Sequence, residues 1–408
     1  MKNRVVVTGM GVISPIGNNL TDFWESLKIG KNGISNISYF DTEKFDVKIA
    51  GECNLDLDLH FNRKELNKLD RFSIYAIVAA NQAIEQSCLL ESNIDKDRVG
   101  VIVGSGIGGI ATFEKQYKKL LKSPRFVSPF FIPSMISDIA PGHISIKYGF
   151  RGPNYSVVSA CATSNHAFGD AFKMIQSGLA DVIIAGGCEA AITEMSIAGF
   201  SNMKALSKNN DINTASRPFD KKRDGFVMGE GAGILVLESY EHATKRKANI
   251  LAEIAGYGAS GDAFHITSPD PEGKGAKLAI LNALKDAKIK EDDIQYINAH
   301  GTSTPYNDKV ESKVIKEVFK NNYKNIFVNS TKSMTGHLLG AAGGIEAVAT
   351  ILSMKNNFLH PTINYTNPDP DCTLNYIPNK GISAKVNYAL SNNFGFGGHN
   401  SVIVFKGS

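Results

Sequence analysis

Two distant segments of this chain share one local pattern, and that duplication constrains the fold more than any other feature. In Tyr155-Ser156-Val157-Val158-Ser159-Ala160-Cys161-Ala162-Thr163-Ser164 an apolar, β-prone run stops at a thiol, and a small-residue helix follows. The stretch from Val328 to Ala342, through Ser330, Lys332 and His337, repeats the order of strand, small polar turn and Ala/Gly helix. Superimposing Phe168-Gly169 on Leu339-Gly340 gives an offset of 171, placing Ser159 on Ser330, Cys161 on Lys332 and His166 on His337. Similar half-folds packed about a pseudo-twofold axis bring equivalent strand-to-helix turns face to face. A thiol from one half is then expected to meet a lysine and a histidine from the other.

With 408 residues, 43% of them hydrophobic, the chain can bury two sizeable cores or one large double one. Short Val/Ile strands alternate with Ala-rich helices, which predicts an α/β fold with sheets covered on both faces. The expected strands are Val5–Val7, Val99–Val103, Val182–Ala185, Ile234–Leu237, Ile294–Asn298, Ile326–Asn329 and Ser401–Phe405. The expected helices include Glu65–Gln86, Ala162–Ser177 with Gly178 as its stop, Gly275–Ala287 and Leu338–Met354. No Ser/Gly/Pro-rich linker interrupts the pattern. The expected seam lies near residues 239–250, dividing the chain into halves 1–248 and 249–408.

A formal net charge of +4 is too near balance to call for nucleic acid. Basic residues cluster at Arg63, Lys64, Lys68 and Arg71, at Lys118, Lys119, Lys122 and Arg125, and at Lys221, Lys222 and Arg223. Most such clusters are solvated faces, and the functional alternative is docking of an acidic protein. Five cysteines without a Cys-x-x-Cys pair suggest neither a disulfide framework nor a zinc site, so a reducing compartment is expected. The N-terminus enters a strand at once, and no apolar run reaches the roughly 18 residues that span a bilayer. A cytoplasmic protein is expected, or an organellar one if a transit peptide has been removed.

Gly104-Ser105-Gly106-Ile107-Gly108-Gly109 follows a strand and satisfies G-x-G-x-x-G, but the acidic residue expected about 20 positions on is missing. The preferred reading is a turn of close backbone approach, with Ile107 lining a pocket. There is no Walker lysine and no G-x-S-x-G elbow, and the nine histidines include no pair at metal-ligand spacing.

Cys161 stands at a helix N-terminus, where the helix dipole and free backbone N–H groups favour a thiolate and can hold an oxyanion. A small buried cysteine packed between strand and helix is the plainer alternative. Four further elements tip the balance: His300 in Asn298-Ala299-His300-Gly301-Thr302-Ser303-Thr304-Pro305, Lys332, His337, and the loop Asn393-Phe394-Gly395-Phe396-Gly397-Gly398-His399-Asn400. Together with Val5-Val6-Val7-Thr8-Gly9-Met10-Gly11, Arg217-Pro218-Phe219-Asp220 and Gly229-Glu230-Gly231-Ala232-Gly233, they make the chain similar, over essentially its whole length, to the β-ketoacyl-[acyl-carrier-protein] synthases. It most resembles their type II group.

The resemblance implies a thiolase-like duplicated α/β fold of five layers (αβαβα) with two similar halves, normally a homodimer, working without metal or organic cofactor. Substrates ride on the phosphopantetheine of an acidic acyl carrier protein. By resemblance, Cys161 takes the acyl chain, its own N–H and that of Phe396 form the oxyanion hole, and His300 and His337 bind malonyl thioester. Lys332 orders the site with Glu346 as ionic partner, and Thr302, Thr304 and Thr267 contact pantetheine. Phe200 and Ile107 are packing residues that can also line the acyl tunnel, Asp308 is a candidate for orienting a neighbour, and His166 is structural. Tyr306, Cys188 and His399 depart from the family pattern and leave acyl length open. Type I synthases and polyketide ketosynthases share the fold. A thiolase would need a second cysteine near the C-terminal glycine loop, a type III synthase an Asn where His337 stands, and a chain-length subunit would lack Cys161.

Overall fold

The computed structural model describes residues 2–408. Ten strands form one continuous sheet whose two ends are copies of each other. Val5–Ile13, Val99–Gly104, Asn154–Tyr155, Val182–Glu189 and Gly231–Ser239 make the first end. Ala252–Gly261, Tyr296–Asn298, Phe327–Asn329, Tyr388–Gly395 and His399–Gly407 make the second. Numbered within its own set, each runs in the order 3-2-4-5-1 from the outer edge. Strand 2 pairs parallel with 3 and 4, while 5 pairs antiparallel with 4 and 1, in both sets. The sets join through their first strands, with Val5, Val6 and Val7 opposite Ile254, Glu253 and Ala252.

Helices Thr163–Gln176 and Ala342–Asn356 each pack on strands of both sets, so they lie between the two half-sheets. Every residue from Ala342 to Met354 is buried, while Thr163–Gln176 buries its apolar face and leaves Asp170, Lys173 and Gln176 partly exposed. Arg71–Gln86 and Ile139–Tyr148 cover the outer face of the first half-sheet. Lys274–Ala287 and Pro305–Phe319 cover that of the second, through Ile280, Leu284, Val314 and Ile315. The result is five alternating layers. No helix among the described residues is long and apolar enough to cross a membrane.

The register of the repeat differs from the sequence alignment. A residue with positive φ, Ala160 at 49° and Leu339 at 48°, opens a short 3-10 turn before each central helix. The equivalent of Cys161 is therefore Gly340, at an offset of 179, and His337 and Lys332 lie on the approach to the second turn rather than at it. Matching Phe168-Gly169 to Leu339-Gly340 aligned small residues without their backbone geometry. The expected helix from Glu65 is two helices, Arg63–Leu66 and Arg71–Gln86, because Asp70 caps the second by accepting the Phe72 N–H. Three strands of the sheet, Asn154–Tyr155, Ala252–Gly261 and Tyr388–Gly395, had no counterpart among the expected strands. The expected seam at 239–250 holds the helix Tyr240–Lys245 between the strand sets.

Candidate active site

Cys161 lies in the 3-10 turn Ala160–Ala162, directly before Thr163–Gln176. The left-handed backbone of Ala160 costs on the order of 1 kcal/mol or more. It is held because Thr163 Oγ1 accepts the Ser159 N–H at 2.9 Å and donates to the Ala160 carbonyl at 2.7 Å. The turn aims the buried thiol at the second half of the chain, where Sγ sits 3.0 Å from His337 Nε2, with Phe396 lining the same cavity. Burial pushes the thiol up to about 12, against the opposing pull of the Lys332 charge and the Phe396 N–H. The helix end does not by itself yield a resting thiolate, as expected from sequence; desolvation outweighs it.

His337 Nδ1 accepts the Leu339 N–H at 3.2 Å, which leaves the ring proton on Nε2, facing Sγ. The rings of His300 and His337 meet edge to face with centroids 5.3 Å apart. Burial and the Lys332 charge hold both imidazoles well below their usual range, so both are neutral. Lys332, only 1% exposed, pairs with the fully buried Glu346, whose other oxygen accepts from Asn393 Nδ2 at 2.6 Å. Burial raises the Glu346 carboxyl, and the lysine counteracts it.

Cys161, His300 and His337 open onto a cavity of about 380 Å³ that Phe200, Thr267, Thr302, Thr304 and Phe396 also line. The Phe396 and Phe200 rings lie 6.3 Å apart beside the thiol. The hydroxyls of Thr302 and Thr304 bond each other at 2.8 Å. Across the mouth, the Thr267 loop is tied to the glycine loop by the Gly397 N–H on the Ile266 carbonyl, 2.7 Å. A Cβ at Gly395 would stand 2.8 Å from the Ser159 carbonyl and 3.1 Å from the Cys161 nitrogen, so only glycine lets this loop approach the nucleophile turn.

Two of the expected site residues lie elsewhere. Ile107 is 37% exposed and does not line this cavity; its N–H donates to Glu189 at 3.2 Å. Asp308 is buried outside the cavity, where it accepts the Phe219 N–H at 2.8 Å and faces Arg223. His166 bonds Ser159 Oγ at 2.6 Å beneath the nucleophile turn. Glu311 was not anticipated: its carboxylate accepts the backbone N–H groups of both His300 and Gly301, at 2.9 and 2.8 Å. Its signal was available, since Asp308, Glu311 and Ser312 form a polar stripe on the helix face that also buries Val314, Ile315 and Val318.

The family comparison agrees with this geometry. Residues 2–243 match the beta-ketoacyl synthase N-terminal domain and residues 251–366 the beta-ketoacyl synthase C-terminal domain. The chain belongs to the beta-ketoacyl synthase family. It is an acyltransferase-type condensing enzyme. The 3-oxoacyl-[acyl-carrier-protein] synthase 2 of Staphylococcus aureus (strain N315) is 54% identical over 405 residues, 99% of this chain and 98% of that protein. The protein of the same name from Synechocystis sp. is 50% identical over 408 residues, again 99% and 98%. Among solved structures, a beta-ketoacyl synthase from Burkholderia phymatum superimposes with a TM-score of 0.93 at 35% identity, each chain covered completely. A type II polyketide synthase acyl-carrier protein in complex with its ketosynthase bound to the hexaketide gives a TM-score of 0.94 at 38% identity, with the same coverage.

Proposed function

We propose that this beta-ketoacyl synthase is a 3-oxoacyl-[acyl-carrier-protein] synthase that lengthens acyl chains by two carbons through decarboxylative condensation. The observation that carries the proposal is the convergence of Cys161 from one half with His300 and His337 from the other on one cavity. Sγ attacks the thioester carbonyl of acyl carrier protein, an S–C bond forms, and the pantetheine thiol leaves with the proton of Cys161. The N–H groups of Cys161 and Phe396 hold the tetrahedral oxyanion. Malonyl thioester then loses carbon dioxide, and the electron pair of the broken C–C bond is held as an enolate. The neutral imidazoles of His337 and His300 are aimed at the enolate oxygen, where charge develops. The enolate carbon attacks the acyl-Cys161 carbonyl and the thiolate leaves, with the Phe396 N–H and the Lys332 charge on hand to stabilise it. Phe200 and Phe396 keep water from the acyl thioester.

Thr302, Thr304 and Thr267 are assigned to pantetheine, and Glu346 to holding Lys332. Ile107 reaches an acyl tunnel only if a second copy completes one. A homodimer is part of the proposal: Phe113, Tyr117, Leu121, Phe126 and Ile132 are exposed along one stretch, an apolar surface that a second copy would cover. An acidic carrier protein as partner, the division into 1–248 and 249–408, and a cytoplasmic setting belong to the same reading, the last supported by five free cysteines.

Purified protein supplied with malonyl- and acyl-acyl carrier protein is expected to release carbon dioxide and β-ketoacyl product. His337→Ala is expected to slow decarboxylation by about 100- to 1,000-fold, the range for one lost oxyanion donor. Absence of product from the wild type overturns the assignment.

A further inference from the structure

Glu189 ends the strand Val182–Glu189 and is fully buried, yet it belongs to none of the steps above. Its carboxylate collects four donors. Oε1 accepts from Ser105 Oγ at 2.7 Å and from the Ile107 N–H at 3.2 Å; Oε2 accepts from the Gly106 N–H at 2.8 Å and from the Gly340 N–H at 3.0 Å. Burial raises the Glu189 carboxyl, and the four donors oppose that rise. The last donor is the informative one, because it reaches across to the other half of the chain.

Gly340 follows Leu339, the residue whose N–H fixes the His337 tautomer while its own backbone is left-handed. A leucine in that conformation persists only where its surroundings over-determine it. The surroundings come from the first half: Glu189 takes the Gly340 N–H, and Ser164 Oγ donates to the Gly340 carbonyl at 2.5 Å. Position 340 must be glycine for this approach, since a Cβ there would lie 2.4 Å from the Gly106 nitrogen and 2.8 Å from Glu189 Oε2.

We propose that Glu189, with Ser164, is a positioning residue for His337, clamping the Leu339-Gly340 turn so that the Leu339 N–H stays on Nδ1 and the Nε2 proton points into the cavity. The inference rests on His337 being the donor in decarboxylation. Without the clamp the turn relaxes, the tautomers mix and the donor is lost for part of the population, while Cys161, Phe396 and the substrate contacts remain.

The test uses the full chain with Glu189→Ala, Glu189→Gln and Ser164→Ala. Malonyl decarboxylation, acylation of Cys161 and KM for malonyl-acyl carrier protein are measured separately. The His337 tautomer is followed in ¹⁵N-histidine spectra, assigned by difference from His337→Ala. Glu189→Ala is expected to lower kcat for decarboxylation about 10- to 100-fold, the scale of a displaced catalytic group, with KM and acylation little changed and Nδ1–H signal appearing at His337. Glu189→Gln keeps an oxygen for Gly340 and turns its amide toward the Ser105 hydroxyl, though also against the Ile107 N–H, so it is expected to recover part of both rate and tautomer relative to Glu189→Ala. Ser164→Ala gives a smaller loss of the same kind, and decides the matter if Glu189→Ala does not fold. Wild-type decarboxylation and tautomer in a folded Glu189→Ala, or in Ser164→Ala where the former is unfolded, overturn the proposal. Normal decarboxylation by His337→Ala would instead overturn the functional reading on which it rests.

Discussion

Replacing Lys332 by alanine separates the structural weight of the buried ion pair from its part in catalysis. Lys332 and Glu346 are 1% and 0% exposed, and the ammonium opposes the rise that burial imposes on the Glu346 carboxyl. Removing one partner of a buried pair leaves an uncompensated charge, a loss of about 3–5 kcal/mol. For 408 residues unfolding as one unit, an entropy of about 2.1 cal/mol/K per residue amounts to roughly 0.9 kcal/mol/K, so Tm falls by about 3–6 °C. The pH dependence follows from the direction of the shift. Burial already raises the Glu346 carboxyl, and without the ammonium it rises further, so the folded state holds that proton more tightly than the unfolded chain does. The penalty is then complete at pH values above the raised pKa and fades as pH falls through it. Calorimetry of wild type and Lys332→Ala at pH 8 and pH 5 is expected to show a gap that narrows at the lower pH. A gap below about 1 °C at pH 8, or one equal at both values, refutes the reasoning.

Alkylation of Cys161 by iodoacetamide should rise about tenfold per pH unit from 7 to 9 without a plateau, because a thiol raised to about 12 exposes more thiolate at every step. In Lys332→Ala the same reaction should be slower at each pH, since the charge that lowers the thiol is gone; a plateau near pH 8 contradicts both statements. Gly395→Ala forces the glycine loop off the Ser159 carbonyl and carries the Phe396 N–H away from Sγ, so acyl transfer should fall at least tenfold. An acylation rate equal to wild type would show that the Phe396 N–H plays no part.

The duplication was legible because each half repeats strand, polar turn and small-residue helix, and small residues mark helices packed between two sheets. The register was not, because the turns are equivalent through the φ values of Ala160 and Leu339, which those side chains do not announce. Val5–Ile13 and Gly231–Ser239 extend beyond the runs expected from Val and Ile, because their glycines and other small residues keep the strand wherever neighbouring backbone packs closely. Ala252–Gly261 was missed for a related reason, since its alternation rests on Ala and Gly rather than on large apolar residues. Of the candidate site, the groups that touch the cavity stood out as motifs. Glu311 and Glu189 did not, because each acts through backbone N–H groups supplied by distant segments.

The most direct test of the account is intact-protein and peptide mass spectrometry after exposure to acyl-acyl carrier protein alone, with no malonyl substrate present. The account predicts one acyl group per chain on the peptide carrying Cys161, discharged as β-ketoacyl product when malonyl-acyl carrier protein is added, and no adduct in Cys161→Ala. An acyl group found on another residue, or retained by Cys161→Ala, would contradict it.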